Sequence, residues 1–378
     1  MNFSFYYPVF LKPYGAPYAC FSIAKNFELD EEKCSIFFGT KTADPSFREV
    51  KVLFTPSLQR SVFKLFNEAT INHFTEFKYL SNIDADDFSI IWPGATLKLI
   101  EKCKYISSGL AAENINTHQG TAKRILDAES KVLGYGGHHT ISDYAVDVEN
   151  RMLHLMDYVF SPAPCVTQSL LENGVEEKKI IDGSYGLDEK DILDCSVLSA
   201  RLLEQEKVPV FVMPGRIGVR KGVHRLLRYW QRAAVNAKLL LVGEIESSIK
   251  DFILPYLGKN GVEHIDFTPN LAQVLAQADV FVLPSLEEGS PLVTYLALGA
   301  GLPCLVSPMG SGGAVRDGVE GLIVDSFDED AWIHAIRELA GNREKRLAMG
   351  RVAHERADFY LWPKVAKRRR LALQERMG

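Results

Sequence analysis

Residues 279–313 read DVFVLPSLEEGSPLVTYLALGAGLPCLVSPMGSGG. The run Asp279–Pro284 has the length and β-branched content of a buried strand. An acidic, glycine-containing loop follows, Glu287-Glu288-Gly289-Ser290. Pro291 suits the first turn of a helix, where its missing N–H would be unpaired anyway. The helix should end near Gly299 and Gly301, and Leu302–Ser307 reads as the next strand. In α/β folds a loop at the C-terminal edge of a parallel sheet, feeding a helix N-terminus, is where anionic and sugar-bearing ligands bind. A carboxylate there can accept hydrogen bonds from sugar hydroxyls.

The same alternation extends outward. In the second half, Val208–Met213, Lys238–Val242, His264–Phe267 and Gly321–Asp325 are further short apolar strands, with helices over Val223–Val235 and around Ser248–Leu257. The first half repeats the scheme less tidily. Phe3–Tyr6, Cys34–Phe38, Val50–Phe54, Phe88–Trp92 and Tyr158–Ser161 read as strands, and Ser61–Phe74, Ala122–Leu133 and Tyr144–Met156 as helices. Strands alternating with helices indicate parallel sheets covered on both faces. The boundary is expected in the polar stretch Leu187–Lys207, giving two doubly wound domains with a cleft between them. The tail Ala353–Arg376 is charged and helical, and Pro363 should break or kink it. Such a tail can cross back onto the first domain.

A chain of 378 residues has room for two domains. The formal net charge of −5 gives no support for a nucleic-acid binder. The six cysteines are scattered without a CxxC pair, so neither a zinc site nor a disulfide framework is indicated. The start of the chain lacks a basic segment followed by an apolar core, and no apolar run is long enough to span a bilayer. A cytoplasmic protein with reduced thiols is the expectation.

Four segments together resemble the family-4 retaining glycosyltransferases of the GT-B fold. GRIGVRKG (215–222) resembles the donor-phosphate loop. Glu288 to Gly301, followed by LPCLVS, resembles the E-x7-E loop, helix and strand. MDYVFSPAPCVTQSLLENGVEEKKIIDGSYGLD (156–188) resembles the stretch closing the first domain, and FYLWPKVA (359–366) the crossover helix. The resemblance implies two Rossmann-like domains: an acceptor-side domain over 1–195 and a nucleotide-sugar domain over 205–357, with the helix 358–378 packing back on the first. In one respect the chain departs. The family carries a second glutamate eight positions after the first, where it contacts the nucleotide ribose. From Glu288 that position is Leu296, and from Glu287 it is Tyr295. Backbone groups or Thr294 could replace the contact.

Transfer from a sugar nucleotide requires the departing diphosphate to be stabilised as charge builds. Arg216 and Lys221 suit that task, as a bidentate donor and a point charge at a helix start. The plain alternative is a solvated basic loop, since Arg220 and Arg225 lie nearby. The resemblance makes Arg216, Lys221, Glu288 and His118 catalytic candidates, with Glu113 and Asn116 as neighbours of the histidine. Donor contacts are implied for Gly15, Gly215, Glu287, Gly289, Ser290, Pro291, Leu292 and Val293. A lone histidine is more often structural, and Glu288 could be an ordinary loop carboxylate. His138 and His139 are adjacent, so in a strand they would face opposite ways, and neither is given a metal role.

Asp84-Ala85-Asp86 and Asp328-Glu329-Asp330 both match a DxD metal pattern. Two matches in one chain show how cheap the pattern is, and Asp84–Asp87 reads as a polar turn. No essential metal and no cofactor are expected. Lys364, Lys367, Arg368, Arg369 and Arg370 form a basic cluster that could meet anionic lipid or be a solvated helix face.

The resulting expectation is a retaining glycosyltransferase that moves a sugar from a nucleotide-sugar donor to a glycan or lipid-linked acceptor in polysaccharide synthesis. The first rival is a degenerate GT-B domain that binds a nucleotide sugar or glycan without turnover. A non-transferring GT-B enzyme such as an epimerase would need acid/base residues that the sequence does not display. Donor base, sugar, acceptor and oligomeric state are left open.

Overall fold

The computed structural model describes residues 2–27, 34–41, 50–52, 68–134, 139–194, 196, 198 and 207–378. Two parallel sheets carry the fold. The first has strands β1 (Asn2–Leu11), β2 (Cys34–Lys41), β3 (Lys51–Val52), β4 (Asp87–Ile91), β5 (Gly109–Glu113), β6 (Tyr158–Ser161) and β7 (Ile180–Asp182), in the order β3-β2-β1-β4-β5-β6-β7. The second has β8 (Val210–Pro214), β9 (Lys238–Val242), β10 (Val262–Ile265), β11 (Val280–Leu283), β12 (Cys304–Val306) and β13 (Gly321–Ile323), in the order β10-β9-β8-β11-β12-β13. All pairings are parallel, with helices between most successive strands among the described residues, as in doubly wound Rossmann-like folds.

The strand order reverses between β1 and β4 in one sheet and between β8 and β11 in the other. The loops leaving those strands diverge to opposite faces and open a crevice at their C-terminal ends. The central strands have the composition for that place. VFVL in β11 is buried at every residue, and β1 is an aromatic run whose Phe3, Phe5 and Tyr6 are also buried. Pro8 has no N–H to give to a ladder, and the β1–β2 register shifts between Tyr7 and Phe10.

Sequence reading locates most of these elements and misses some. Strands β5 and β7 and the helices Leu97–Ile106 and Pro164–Glu172 are additions. The helix expected over Ser61–Phe74 is seen as Glu68–Leu80, and residues 61–67 lie outside the described ones. So do Phe54, His138, Cys195 and most of 195–206. His139 is not in a strand, and its Nε2 is 2.9 Å from Asp127 Oδ1. Asp84–Asp87 is a turn in which the Asp86 N–H donates to Asp84 Oδ1.

Pro363 does not break the tail. It occupies the first turn of the helix Trp362–Met377, which follows the helix Arg343–Ala357 and a short turn, Asp358–Tyr360. At the crossing, the Leu187 N–H donates to Tyr360 O at 3.1 Å and the Trp362 N–H to Leu187 O at 3.2 Å. The final helix packs on the helix Gly15–Lys25 and on β7. Its basic cluster is not one solvated face. Arg369 and Arg370 are 2% and 1% exposed, lie over Phe160 and Phe3 respectively, and Arg369 pairs with Glu113. A lipid surface cannot reach those two charges.

Candidate active site

Loops from both switch points and from β5 and β6 meet at the interface between the sheets. After β8 the chain turns at Gly215, with φ +113°, and runs through Arg216 to a short helical turn, Val219–Lys221. Gly222 then starts the helix Val223–Ala233 at φ +69°. A Cβ on Gly222 would lie 2.2 Å from Pro284 O, so this turn needs glycine twice over. That close approach presses the loop after β8 against the loop after β11.

Lys221 Nζ sits 2.6 Å from Glu288 Oε1. Burial raises the Glu288 pKa, but Lys221 and Arg220 outweigh it and hold the carboxylate below its ordinary range. Arg216 stands apart, 67% exposed, with Nε 3.3 Å from Glu246 Oε1. It has the freedom to swing toward a bound anion. Lys221 is already in place.

Glu287 is committed to the interface. Its Oε2 pairs with Arg220 Nε at 2.5 Å, and its Oε1 accepts from Thr117 Oγ1 at 2.6 Å and from the Thr117 N–H at 3.2 Å. Burial keeps its pKa raised despite Arg220. Beside it, a Cβ on Gly289 would fall 1.9 Å from Ile115 O, so the two domains touch backbone to backbone. The proposed basic-loop alternative is thus corrected for Arg220 and Arg225, which are structural partners. Arg225 Nη2 and Nε donate to Glu129 at 2.8 and 2.9 Å, and His224 Nε2 lies 2.6 Å from the same carboxylate.

His118 is fully buried. Its Nδ1 accepts the Gly120 N–H at 3.0 Å and caps the helix Gln119–Leu133, while Nε2 is 3.3 Å from Glu149 Oε2. Burial lowers its pKa, so the ring is held neutral. Glu113 is engaged elsewhere, and Asn116 is held through its main chain. Glu113 is taken by Tyr185 OH at 2.9 Å and by Arg369, and Asn116 O accepts from Asn114 Nδ2 at 2.8 Å.

Of the other expected donor contacts, Gly15 begins its helix at φ +72° with only Pro17 Cδ near a would-be Cβ, at 3.8 Å. Ser290 Oγ is 2.6 Å from Tyr295 OH, which accepts the Tyr185 N–H at 3.2 Å. Pro291 is the cap residue of the helix Leu292–Gly299, and Leu292 and Val293 are partly buried in its first turn. Thr294 is ruled out as a ribose contact in this arrangement: it is fully buried and donates to Gly310 O at 2.8 Å.

Comparison with known proteins joins the site to a family. Residues 208–342 match the family described as glycosyl transferases group 1. Over that stretch the second domain is similar to the group 1 glycosyl transferases. A D-inositol 3-phosphate glycosyltransferase from Corynebacterium urealyticum is 35% identical over 98 residues, 26% of this chain and 23% of that protein. One from Segniliparus rotundus is 32% identical over 173 residues, 43% of this chain and 38% of that protein. The matches thus span well under half of those relatives. Among solved structures, Anabaena Alr3699/HepE in complex with UDP and glucose aligns over 99% of this chain and 100% of that one, with TM-score 0.69 and 17% identity. WaaG, a glycosyltransferase involved in lipopolysaccharide biosynthesis, aligns over 97% and 98%, with TM-score 0.64 and 13% identity. These likenesses show the GT-B fold across the whole chain. The stretch similar to group 1 includes the Lys221–Glu288 pair, since both residues lie within 208–342.

Proposed function

We propose that the chain transfers a sugar, with retention, from a nucleotide diphosphate sugar to a glycan or lipid-linked acceptor. The observation that carries this reading is the Lys221–Glu288 pair, 2.6 Å apart at the C-terminal ends of β8 and β11. Lys221 neutralises the leaving diphosphate, and Arg216 closes on it from solvent. Glu288 orients Lys221 and accepts from donor-sugar hydroxyls. The backbone of Gly289–Val293 and the turns at Gly215 and Gly15 shape the donor cavity. His118 and Thr117 hold the first-domain loop against Glu287 and so position the two halves of the site. The first domain takes the acceptor, with its boundary near 195–205.

A uridine nucleotide is the favoured donor class, because the solved relatives of the same fold include complexes with UDP and with UDP-glucose. Polysaccharide or glycan synthesis is the setting, in the cytoplasm. Any contact of the C-terminal helix with a membrane surface falls to the exposed Lys364 and Lys367. Among the described residues no helix is long and apolar enough to cross a bilayer.

The test is a thermal-shift series against UDP-, GDP- and ADP-sugars, followed by a donor-turnover assay with the sugar that shifts the transition most. A ligand that binds only the folded state raises apparent stability. A shift with no turnover on any acceptor would favour the degenerate binder.

A further inference from the structure

We propose that the second domain carries a sugar-holding site, away from the donor loops, that grips part of a neutral oligosaccharide without reacting with it. A cavity of about 510 Å³ lies between the helix Val223–Ala233 and the segment 251–262. That volume is in the range of small-ligand pockets. Trp230 and Gln231 reach it from the last turns of the helix, and Lys259 and Asn260 from the turn that leads into β10. The cavity therefore opens at the N-terminal edge of the second sheet. Lys221 and Glu288 stand at the opposite edge, beyond the C-terminal ends of β8 and β11.

The apolar part of the lining is aromatic and held in place. Trp230 is buried, and its indole N–H donates to Asn260 O at 2.9 Å. Phe252 and Tyr256, four residues apart, stack with ring centres 5.6 Å apart and planes 27° from parallel. Phe252 also meets the His224 ring edge-on, at 6.2 Å between centres. Both stacked rings keep partial exposure. The turn beside them is equally fixed. The Lys259 N–H donates to Tyr256 O at 3.2 Å, and the Val262 N–H to Lys259 O and the Gly258 N–H to Val262 O, each at 2.9 Å. Asn260 takes φ +49°, a left-handed conformation that asparagine tolerates better than most residues. A cavity shaped before binding spares the ligand that ordering cost.

The polar part is uncommitted and within reach of solvent. Among the described residues no group hydrogen-bonds or ion-pairs with the side chains of Gln231, Asp251, Tyr256 or Lys259. Tyr256 is partly exposed and the other three are exposed. The carboxylate accepts, the ammonium donates, and the amide and the phenol do both. A pyranose matches that set: its C–H face is apolar and packs on an aromatic ring, and the hydroxyls around its edge both give and take hydrogen bonds. One carboxylate and one ammonium cancel, so nothing favours an anion over a neutral sugar, and Asp251 repels one. A wholly apolar ligand would desolvate these groups without pairing them. A glycan gripped here is tethered to the protein at raised effective concentration, and needs no donor to bind.

Isothermal calorimetry on the full chain without nucleotide decides it, with maltotetraose, cellotetraose, β-1,4-mannotetraose and tetragalacturonate as separate titrants. At least one neutral tetrasaccharide should bind with Kd below about 5 mM, and tetragalacturonate more weakly than that one. Tyr256→Ala should weaken the binding about tenfold or more, and so should Asp251→Ala, an exposed position whose loss leaves the fold intact. UDP, titrated separately, reports the donor site and should bind both variants as it binds the wild type, so failure of one site is told apart from failure of the other. No saturable heat from any neutral tetrasaccharide up to about 10 mM, tighter binding of tetragalacturonate, or wild-type affinity in both variants overturns the proposal.

Discussion

Lys221 and Glu288 meet at 2.6 Å with their side chains 15% and 14% exposed, so the base of the phosphate loop is set before any donor arrives. The pair has two jobs that separate on mutation. Lys221→Ala should cut turnover by about 10²–10³-fold, the loss seen when one donor to a developing anion is removed. It should also lower Tm, because Glu288 is left partly buried without its main partner. The double variant Lys221→Met/Glu288→Gln should recover Tm and not turnover. Arg216→Ala should lose a comparable amount of activity with Tm unchanged, since Arg216 is 67% exposed. Steady-state kinetics with thermal unfolding on all four proteins separates these outcomes. Normal rates in both alanine variants would remove the diphosphate clamp from the mechanism.

Activity should survive EDTA. Lysine and arginine charge with the start of the helix Val223–Ala233 can neutralise a diphosphate without an ion. Among the described residues no three His, Cys, Asp or Glu side chains are grouped to hold a metal. Loss of turnover on chelation, with recovery on manganese, would contradict this.

These two expectations rest on residues that were visible in the sequence, whereas the interface was not. The β–α alternation of the second half is legible because most of its strands are short, nearly unbroken apolar runs, and β9 falls on the expected Lys238–Val242; β10, VEHI, is the exception, expected over His264–Phe267 and seen at Val262–Ile265. In the first half β6 falls on the expected Tyr158–Ser161. Strand β5 is GLAAE, small residues without β-branching, and its propensity points away from a strand although the sheet buries it. The arginines mislead for a different reason. A sequence shows a charge but not its partner, and Arg369 finds Glu113 at a separation of 256 residues. Glu129 with His224 and Arg225 was equally hidden. The available signal was weak: Glu129 lies one helical turn beyond Leu126, on the buried side of the helix Gln119–Leu133.

Glu129 clamps the domains and should make them acid-labile. Burial works against its charge, but His224 and Arg225 prevail and lower its pKa from 4.5 to about 2. The folded value is depressed, so the stabilisation is present above pH 4.5 and is lost as pH falls through about 2. Glu129→Ala should cost about 3–5 kcal/mol by leaving the largely buried Arg225 guanidinium without its carboxylate. Urea titrations at stepped pH will show it: the wild type should lose stability through that window, and Glu129→Gln should lose less.

Glu149 should act in the opposite direction. Burial raises its pKa from 4.5 to about 7, Glu287 adds to the rise, and the Gln119 N–H opposes it. A raised carboxyl favours its protonated form in the folded state, so stability is greatest below pH 4.5 and declines as pH rises through about 7. Glu149→Gln keeps an acceptor for the Gln119 N–H, which lies 2.6 Å from Oε2, and removes the charge. Tm measured from pH 4.5 to 8 should therefore fall less steeply in the variant, and the variant should be the more stable protein near neutral pH. Parallel profiles would mean that Glu149 ionises without penalty.

Leu296 is the position where the chain leaves the family pattern, and its surroundings decide what that costs. The side chain is partly buried and packed against the core, while Thr294 is committed to Gly310 O. Ribose hydroxyls therefore lose a carboxylate acceptor without gaining the neighbouring hydroxyl. A charge-assisted hydrogen bond contributes about 1.5–3 kcal/mol, and each 1.4 kcal/mol is a factor of about ten in affinity. The wild type should bind nucleotide sugars, more weakly by roughly tenfold to a few hundredfold than a site with the second glutamate. Leu296→Glu should tighten nucleotide binding by at least about tenfold. It should also lower the Tm of the empty protein, because the new carboxylate enters a partly apolar setting unpaired, and saturating nucleotide should reverse most of that loss. Calorimetry on both proteins with UDP and UDP-glucose measures the first effect, and thermal unfolding with and without nucleotide measures the second. If the wild type gives no heat with any nucleotide or nucleotide sugar at millimolar concentration, and Leu296→Glu does not restore binding, the transferase reading fails and the degenerate domain takes its place.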